Sequence, residues 1–239
     1  MKLALNHLLK VLSFRSKRED MLTWGWAELT LGIVCTIIVG AGRWWDDTRD
    51  LPLYVHFGIG SVAYVLVLGS VLWVLIRTLA DEPPSFVRVL TFVCFVSPPA
   101  MLYAVPVEQW MDMASAQSLN LQFLAVVAAY RVALLVHFCR VSVLFDWTKT
   151  IVTTFLPISI AIFFVAQLNV TGVIIDFMGG VRGGEPNRKA EMETFVMLLS
   201  CLSWIVTPIL TLMFLSLWLQ RGFEHRAARK SAEGGQNKE

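Results

Sequence analysis

The sequence predicts an all-α fold, a polytopic transmembrane helical bundle of six spans (five if two of its apolar runs are one), preceded by a short interfacial amphipathic helix. Three observations predict it. Mean hydropathy is +0.63, with 56% of residues hydrophobic and 16% charged, against about 45–50% apolar and about 25% charged in soluble domains. Six apolar runs, at about 23–42, 53–76, 87–107, 121–140, 150–170 and 194–219, each approach the ~20 residues that cross a hydrocarbon core. Lys and Arg are distributed unevenly between the two sets of connecting segments, as the positive-inside rule describes.

In chain order, residues 1–20, MKLALNHLLKVLSFRSKRED, read as a cytoplasmic amphipathic segment. Leu5, Leu8, Leu9 and Leu12 recur at helical spacing with Lys2, Asn6 and Lys10 off the stripe, the pattern of a helix lying on a membrane surface. Lys10 interrupts the apolar stretch and no small-residue cleavage site follows it, which argues against a removed signal peptide. Residues 21–220 form the bundle. Its loops are short, and the longest, between Asp176 and Glu193, is punctuated by Gly and Pro. An apolar run that continues to Phe177 leaves the span count open between six and five. Residues 221–239 form a cytoplasmic basic tail, predicted to lose order after about Ala228.

With the N-terminus inside, fourteen of the 20 Lys and Arg fall on cytoplasmic segments and five on the opposite face. Both termini are therefore expected in the cytoplasm of a bacterial inner membrane. Nine tryptophans, several at run ends, suit interfacial aromatic belts. The net charge of +2 carries no basic groove-reading pattern, so membrane lipids and a protein partner or homo-oligomer are expected, and no nucleic acid. Cys35, Cys94, Cys139 and Cys201 lie in or beside apolar runs without metal-ligand spacing and read as buried thiols.

Within the spans, Gly32, Thr36 and Gly40 recur every four residues, as a close helix–helix contact requires. Gly58, Gly60 and Ser61 suggest a second such contact. Pro98 and Pro99 are adjacent in the third run. Two consecutive prolines remove two backbone donors, so a helix break near mid-membrane is predicted there. Pro106, Pro157 and Pro208 predict further bends.

The fourth run carries one charge, Arg131. An arginine at the centre of a bilayer costs about 2.5–3.5 kcal/mol or more and requires a polar partner. Glu28, in the first run and at similar depth from the same face, is the candidate counter-charge. The pair reads either as a polar cavity site for a proton or anion, or as a clamp between the first and fourth helices with His137 or Tyr130 as further partners. The clamp is the preferred reading, because structural charge pairs also occur inside membranes.

The external turn GRWWDDTRD (42–50) holds Asp46, Asp47 and Asp50 in a DDxxD pattern, which in membrane prenyltransferases binds diphosphate through Mg²⁺. That chemistry is disfavoured, since the motif occurs once, on the non-cytoplasmic face, in a chain with too few spans for that fold. A membrane-edge turn is preferred, with Trp44 and Trp45 at headgroup level and Arg43 and Arg49 partly neutralising the carboxylates. Binding of a periplasmic partner or a lipid headgroup there stays open. Motifs for zinc hydrolysis, nucleophile elbows, phosphate loops and dinucleotide binding do not occur. No catalytic residue, metal or cofactor is assigned. The expected role is a non-enzymatic scaffold or accessory subunit, with a small transporter or channel as alternative and an intramembrane lipid-modifying enzyme third.

The block SFVRVLTFVCFVSPPAMLYAVPV (85–107), followed by AAYRVALLVHFCRVSVLFDWTKTIVTTFLPISIA (128–161), resembles the core of bacterial Yip-type membrane proteins, where a helix ending in a proline-bearing apolar segment precedes a long helix and a further hydrophobic pair. The resemblance implies a five-span bundle with a cytoplasmic N-terminus; eukaryotic members are associated with vesicle trafficking and Rab-GTPase binding. The run at 194–219 and the GRWWDDTRD turn depart from that pattern.

Overall fold

A computed structural model describes residues 2–42, 59–167 and 186–236. Among them the chain is all-helical. Its α-helices are α1 (Lys2–Leu12), α2 (Arg18–Leu22), α3 (Trp26–Ala41), α4 (Ile59–Leu79), α5 (Phe86–Phe95), α6 (Met113–Val141), α7 (Trp147–Gln167) and α8 (Pro186–Gln236), with 3-10 segments at Pro98–Ala104 and Val107–Gln109. Five stretches are long and apolar enough to cross a membrane: Gly60–Leu79, Phe86–Ala104, Ser118–Val141, Trp147–Phe164 and Met197–Glu224. The chain is thus a helical membrane protein. The first predicted span corresponds to α3, whose 16 residues reach ~24 Å, short of the ~30 Å hydrocarbon thickness.

Side-chain caps start two of the helices, one of them, α6, at Met113, ahead of the run predicted from about 121. Asp112 accepts from the Ser115 N–H at 3.0 Å and Ser85 from the Arg88 N–H at 3.4 Å, each side chain satisfying an orphan donor of a first turn. Helix α7 runs through Pro157 and α8 through Pro208, so the bends expected at these prolines interrupt neither helix. Helix α8 also continues to Gln236, past Ala228. The Ala, Arg, Lys and Glu of this stretch are strong helix formers extending a helix already nucleated by its apolar part.

The core centres on α5, whose residues from Val89 to Phe95 are all buried. Helix α3 approaches α5 at Gly32, where an added Cβ would lie 2.6 Å from Cys94 Cβ; α4 approaches at Gly69, where it would lie 2.9 Å from Leu90 Cδ1. Gly32 and Thr36 are buried on this contact, as predicted, while Gly40 is half-buried. The second small-residue contact differs from expectation. Gly60 is exposed and faces open space, and Gly69, further along the same helix, makes the close approach instead. Gly58 lies outside the described residues.

Helix α6 runs antiparallel to α5. Phe138 stacks on Phe92 with centroids 4.2 Å apart, and seven residues earlier Arg131 meets the far end of α5 at Val96. The N-terminal segment packs into the same core through Leu8, Val11, Met21 and Trp24. Its buried face is Ala4, His7, Leu8 and Val11, while Leu3, Leu5 and Leu9 are exposed. The face turned to the protein is thus rotated from the leucine stripe, because His7, polar in sequence, points inward to a carboxylate. Cys94 and Cys139 are buried, but Cys35 is half-buried and Cys201 exposed, and all four are free thiols.

Candidate functional site: a guanidinium at a broken helix

The site is built by proline chemistry. Helix α5 ends at Phe95, and the chain resumes as a 3-10 turn from Pro98 to Ala104. In a continuous α-helix the residues at 98 and 99 would donate to the carbonyls of Cys94 and Phe95, and the residue at 100 to Val96. Prolines cannot donate. The Ser97 N–H turns to Cys94 O at 3.1 Å and the Ala100 N–H to Ser97 O at 2.9 Å, which leaves the Val96 carbonyl without its helical donor in the interior of a membrane protein.

Arg131 supplies that donor. Its Nε donates to Val96 O at 3.0 Å, and Nη2 lies 3.5 Å from Ser97 O. The Ser97 side chain, in turn, is 3.1 Å from Thr36 Oγ1, whose hydroxyl also donates to Gly32 O at 3.0 Å. Ser97, Thr36, Thr91 and Cys94 are buried, and Arg131 is half-buried. One polar chain therefore runs from α3 through the break to α6, with the close Gly32 contact beside it.

The predicted Glu28–Arg131 pair is not formed. Glu28 is the third residue of α3, in its first turn. Its Oε2 accepts the Gly25 N–H at 3.0 Å, reaching back to its own helix start, where an acid also complements the helix dipole. Its Oε1 is 3.2 Å from His7 Nδ1, with both side chains buried. Arg131 has carbonyl partners instead, so each group is satisfied by a neighbour closer in space. Tyr130 and His137, the further partners expected, serve the N-terminal segment. The Tyr130 hydroxyl donates to Leu12 O, and His137 Nε2 is 3.3 Å from Ser16 Oγ. Phe14, in the left-handed region at φ 57°, places its ring edge-on to both, with centroids 5.5 Å from Tyr130 and 5.7 Å from His137.

Further polar contacts fasten the same end. Lys10 Nζ lies 2.7 Å from Asp20 Oδ1, and this hydrogen bond to the ammonium holds the Asp20 carboxyl below its ordinary pKa, against the opposing effect of burial. Arg18 pairs with Glu82 at 2.9 Å, and Arg88 Nη2 is 3.4 Å from Leu22 O. The N-terminal segment, the α4–α5 turn and the start of α3 therefore meet at one end of the bundle.

The structure changes from α-helix to 3-10 turn between Phe95 and Pro98, whereas Arg131 meets carbonyls in place of Glu28, and the part played by His7 was not anticipated. The signal for His7 was its position between Ala4 and Val11 on one helical face. The acidic cluster Asp46, Asp47 and Asp50, with Arg43, Trp44, Trp45 and Arg49, lies outside the described residues. Among the described residues no group of three or more His, Cys, Asp and Glu is placed to hold a metal ion. Compared with protein-family models, with curated proteins and with solved structures, the chain matches none of them.

Proposed function

We propose that the protein is a non-enzymatic scaffold or accessory subunit of a bacterial inner membrane, crossing it six times with both termini in the cytoplasm. The observation that carries this reading is the use of Arg131: its Nε donates to the carbonyl of Val96 at 3.0 Å and its Nη2 lies 3.5 Å from that of Ser97, which makes it a clamp between α5 and α6. Glu28, likewise, is engaged by His7 and its own helix start. The orientation is supported by the fourteen basic residues on one set of segments against five on the other. Arg221, late in α8, donates to the last carbonyls of α4, in keeping with α4 and α8 ending on the same face. Kinship with Yip-type proteins belongs to this proposal as well, with the sixth apolar helix as its main discrepancy.

The test is purification in mild detergent with mass measured by light scattering. A stable complex with a partner or with further copies is expected, and a clean monomer that catalyses substrate-dependent flux in vesicles contradicts the reading.

One observation favours a transporter or channel as second reading. Membrane transporters build substrate sites at discontinuous helices, and the Pro98–Pro99 break is one. Under that reading Arg131→Ala abolishes flux while the amount of folded protein is unchanged; under the scaffold reading the folded protein itself declines. A lipid-modifying enzyme using Asp46, Asp47 and Asp50 is the least supported reading, and retention of Mg²⁺-dependent activity after all three are changed to Asn contradicts it.

A further inference from the structure

At the end of the bundle shared by α4 and α8 lies a cleft of about 370 Å³, whose lining includes Thr78, Trp218, Arg221, Gly222, Phe223 and Arg226. Its cationic wall is preset. Arg221 Nη1 donates to Thr78 O at 2.6 Å and to Arg77 O at 3.1 Å, which fixes the guanidinium against the last turn of α4, where the helix dipole also favours a cation. Arg77, on that turn, lies 4.9 Å above the Trp73 ring. Arg221 Nε is buried without a hydrogen-bond partner among the described residues. Asp81, its side chain 82% exposed, forms an ion pair with that Nε at 3.8 Å, too long for a hydrogen bond. A buried donor of this kind calls for an oxygen acceptor.

The other wall is apolar. Trp218 and Phe223 are 51% and 66% exposed and sit near the end of the apolar stretch Met197–Glu224, the level at which headgroups give way to acyl chains. Two arginines beside exposed aromatic rings at that depth match a ligand with an anionic head and a hydrocarbon tail. Gly222 leaves the floor open, since an added Cβ there meets nothing within 4 Å.

We propose that this cleft binds the phosphate of an anionic phospholipid, with Arg221 and Arg226 on the headgroup and Trp218 and Phe223 along the acyl chains. The inference rests on membrane insertion and not on the scaffold role or the orientation. It is tested by native mass spectrometry of the full-length protein in detergent, with phosphatidylglycerol and phosphatidylcholine supplied at equal concentration. Phosphatidylglycerol is expected to be retained preferentially. Arg226→Gln, at an exposed position, weakens that preference about fivefold. Gly222→Leu, which fills the cleft and raises helix propensity, removes it without lowering the unfolding midpoint. Inorganic phosphate at the lipid's concentration does not displace the lipid, because it lacks the chains. Equal retention of the two lipids, a preference that survives both substitutions, or displacement by inorganic phosphate overturns the proposal.

Discussion

Arg131 donates its Nε–H to the backbone carbonyl of Val96 across 3.0 Å, joining the middle of one helix to the broken end of another. The two features that look anomalous in the sequence, a charge in an apolar run and two adjacent prolines, are one arrangement. The prolines orphan a carbonyl in a water-poor interior, where an unsatisfied polar group costs several kcal/mol. The arginine, equally costly there when alone, satisfies it. Hydrogen bonds to a charged donor contribute about 1.5–3 kcal/mol, enough to offset much of both penalties.

The close approach of α3 to α5 predicts a sharp contrast between two glycines. Gly32→Ala sets a methyl 2.6 Å from Cys94 Cβ, and neither carbon is the end of a flexible chain, so the helices must separate. A loss of about 1–3 kcal/mol is expected from overpacking, read as a lowered unfolding midpoint in detergent. Gly60→Ala, where nothing lies within 4 Å, leaves the midpoint unchanged or raises it, since alanine is the better helix former.

The N-terminal segment is held by buried polar contacts as well as apolar ones. Glu28→Ala strands both the Gly25 N–H and His7 and is expected to cost about 1–3 kcal/mol. His7→Ala leaves Glu28 its backbone bond and costs less. In both variants α1 detaches more readily, and limited trypsin digestion cuts after Lys10 faster than in wild type. Equal cleavage rates in all three proteins contradict the contact.

Lys10 and Asp20 predict an acid-dependent part of the stability. The folded carboxyl of Asp20 has a pKa below its ordinary value of 3.8, so it binds protons less readily than in the unfolded chain. Its contribution is present above the unfolded value and is lost as pH falls below about 3.8 through the folded one. The unfolding midpoint of wild type should therefore fall more steeply than that of Asp20→Asn between pH 5 and pH 3, with the two profiles parallel above pH 6.

Much of the architecture was legible because it depends on run length and periodicity: five of the predicted runs fall on stretches long and apolar enough to cross a membrane, the first falls on the shorter α3, and the interruption of the third at Pro98 and Pro99 follows from missing donors. The partner of Arg131 was not legible. A sequence displays charged side chains, so Glu28 stood out, whereas the true acceptors are main-chain carbonyls that become available only because the helix is interrupted. The role of Gly69 was hidden for a related reason, since a single glycine opposite Leu90 makes no motif. His7 was obscured because a histidine on a leucine-rich helix breaks the apolar pattern at the position that faces inward.

The clamp of Arg131 on the broken helix is tested most directly by a double-mutant cycle between Arg131 and the proline pair, measured as unfolding free energy in detergent. Arg131→Leu alone is expected to cost about 1–3 kcal/mol through the unsatisfied Val96 carbonyl. With Pro98→Ala and Pro99→Ala in place, the N–H groups at positions 98 and 99 return, the helix can continue, and Val96 regains a donor from Ala100. The same Arg131→Leu change should then cost much less, giving a coupling on the order of 1–2 kcal/mol. An equal cost in both backgrounds, or no cost in either, contradicts a clamp of guanidinium on broken helix.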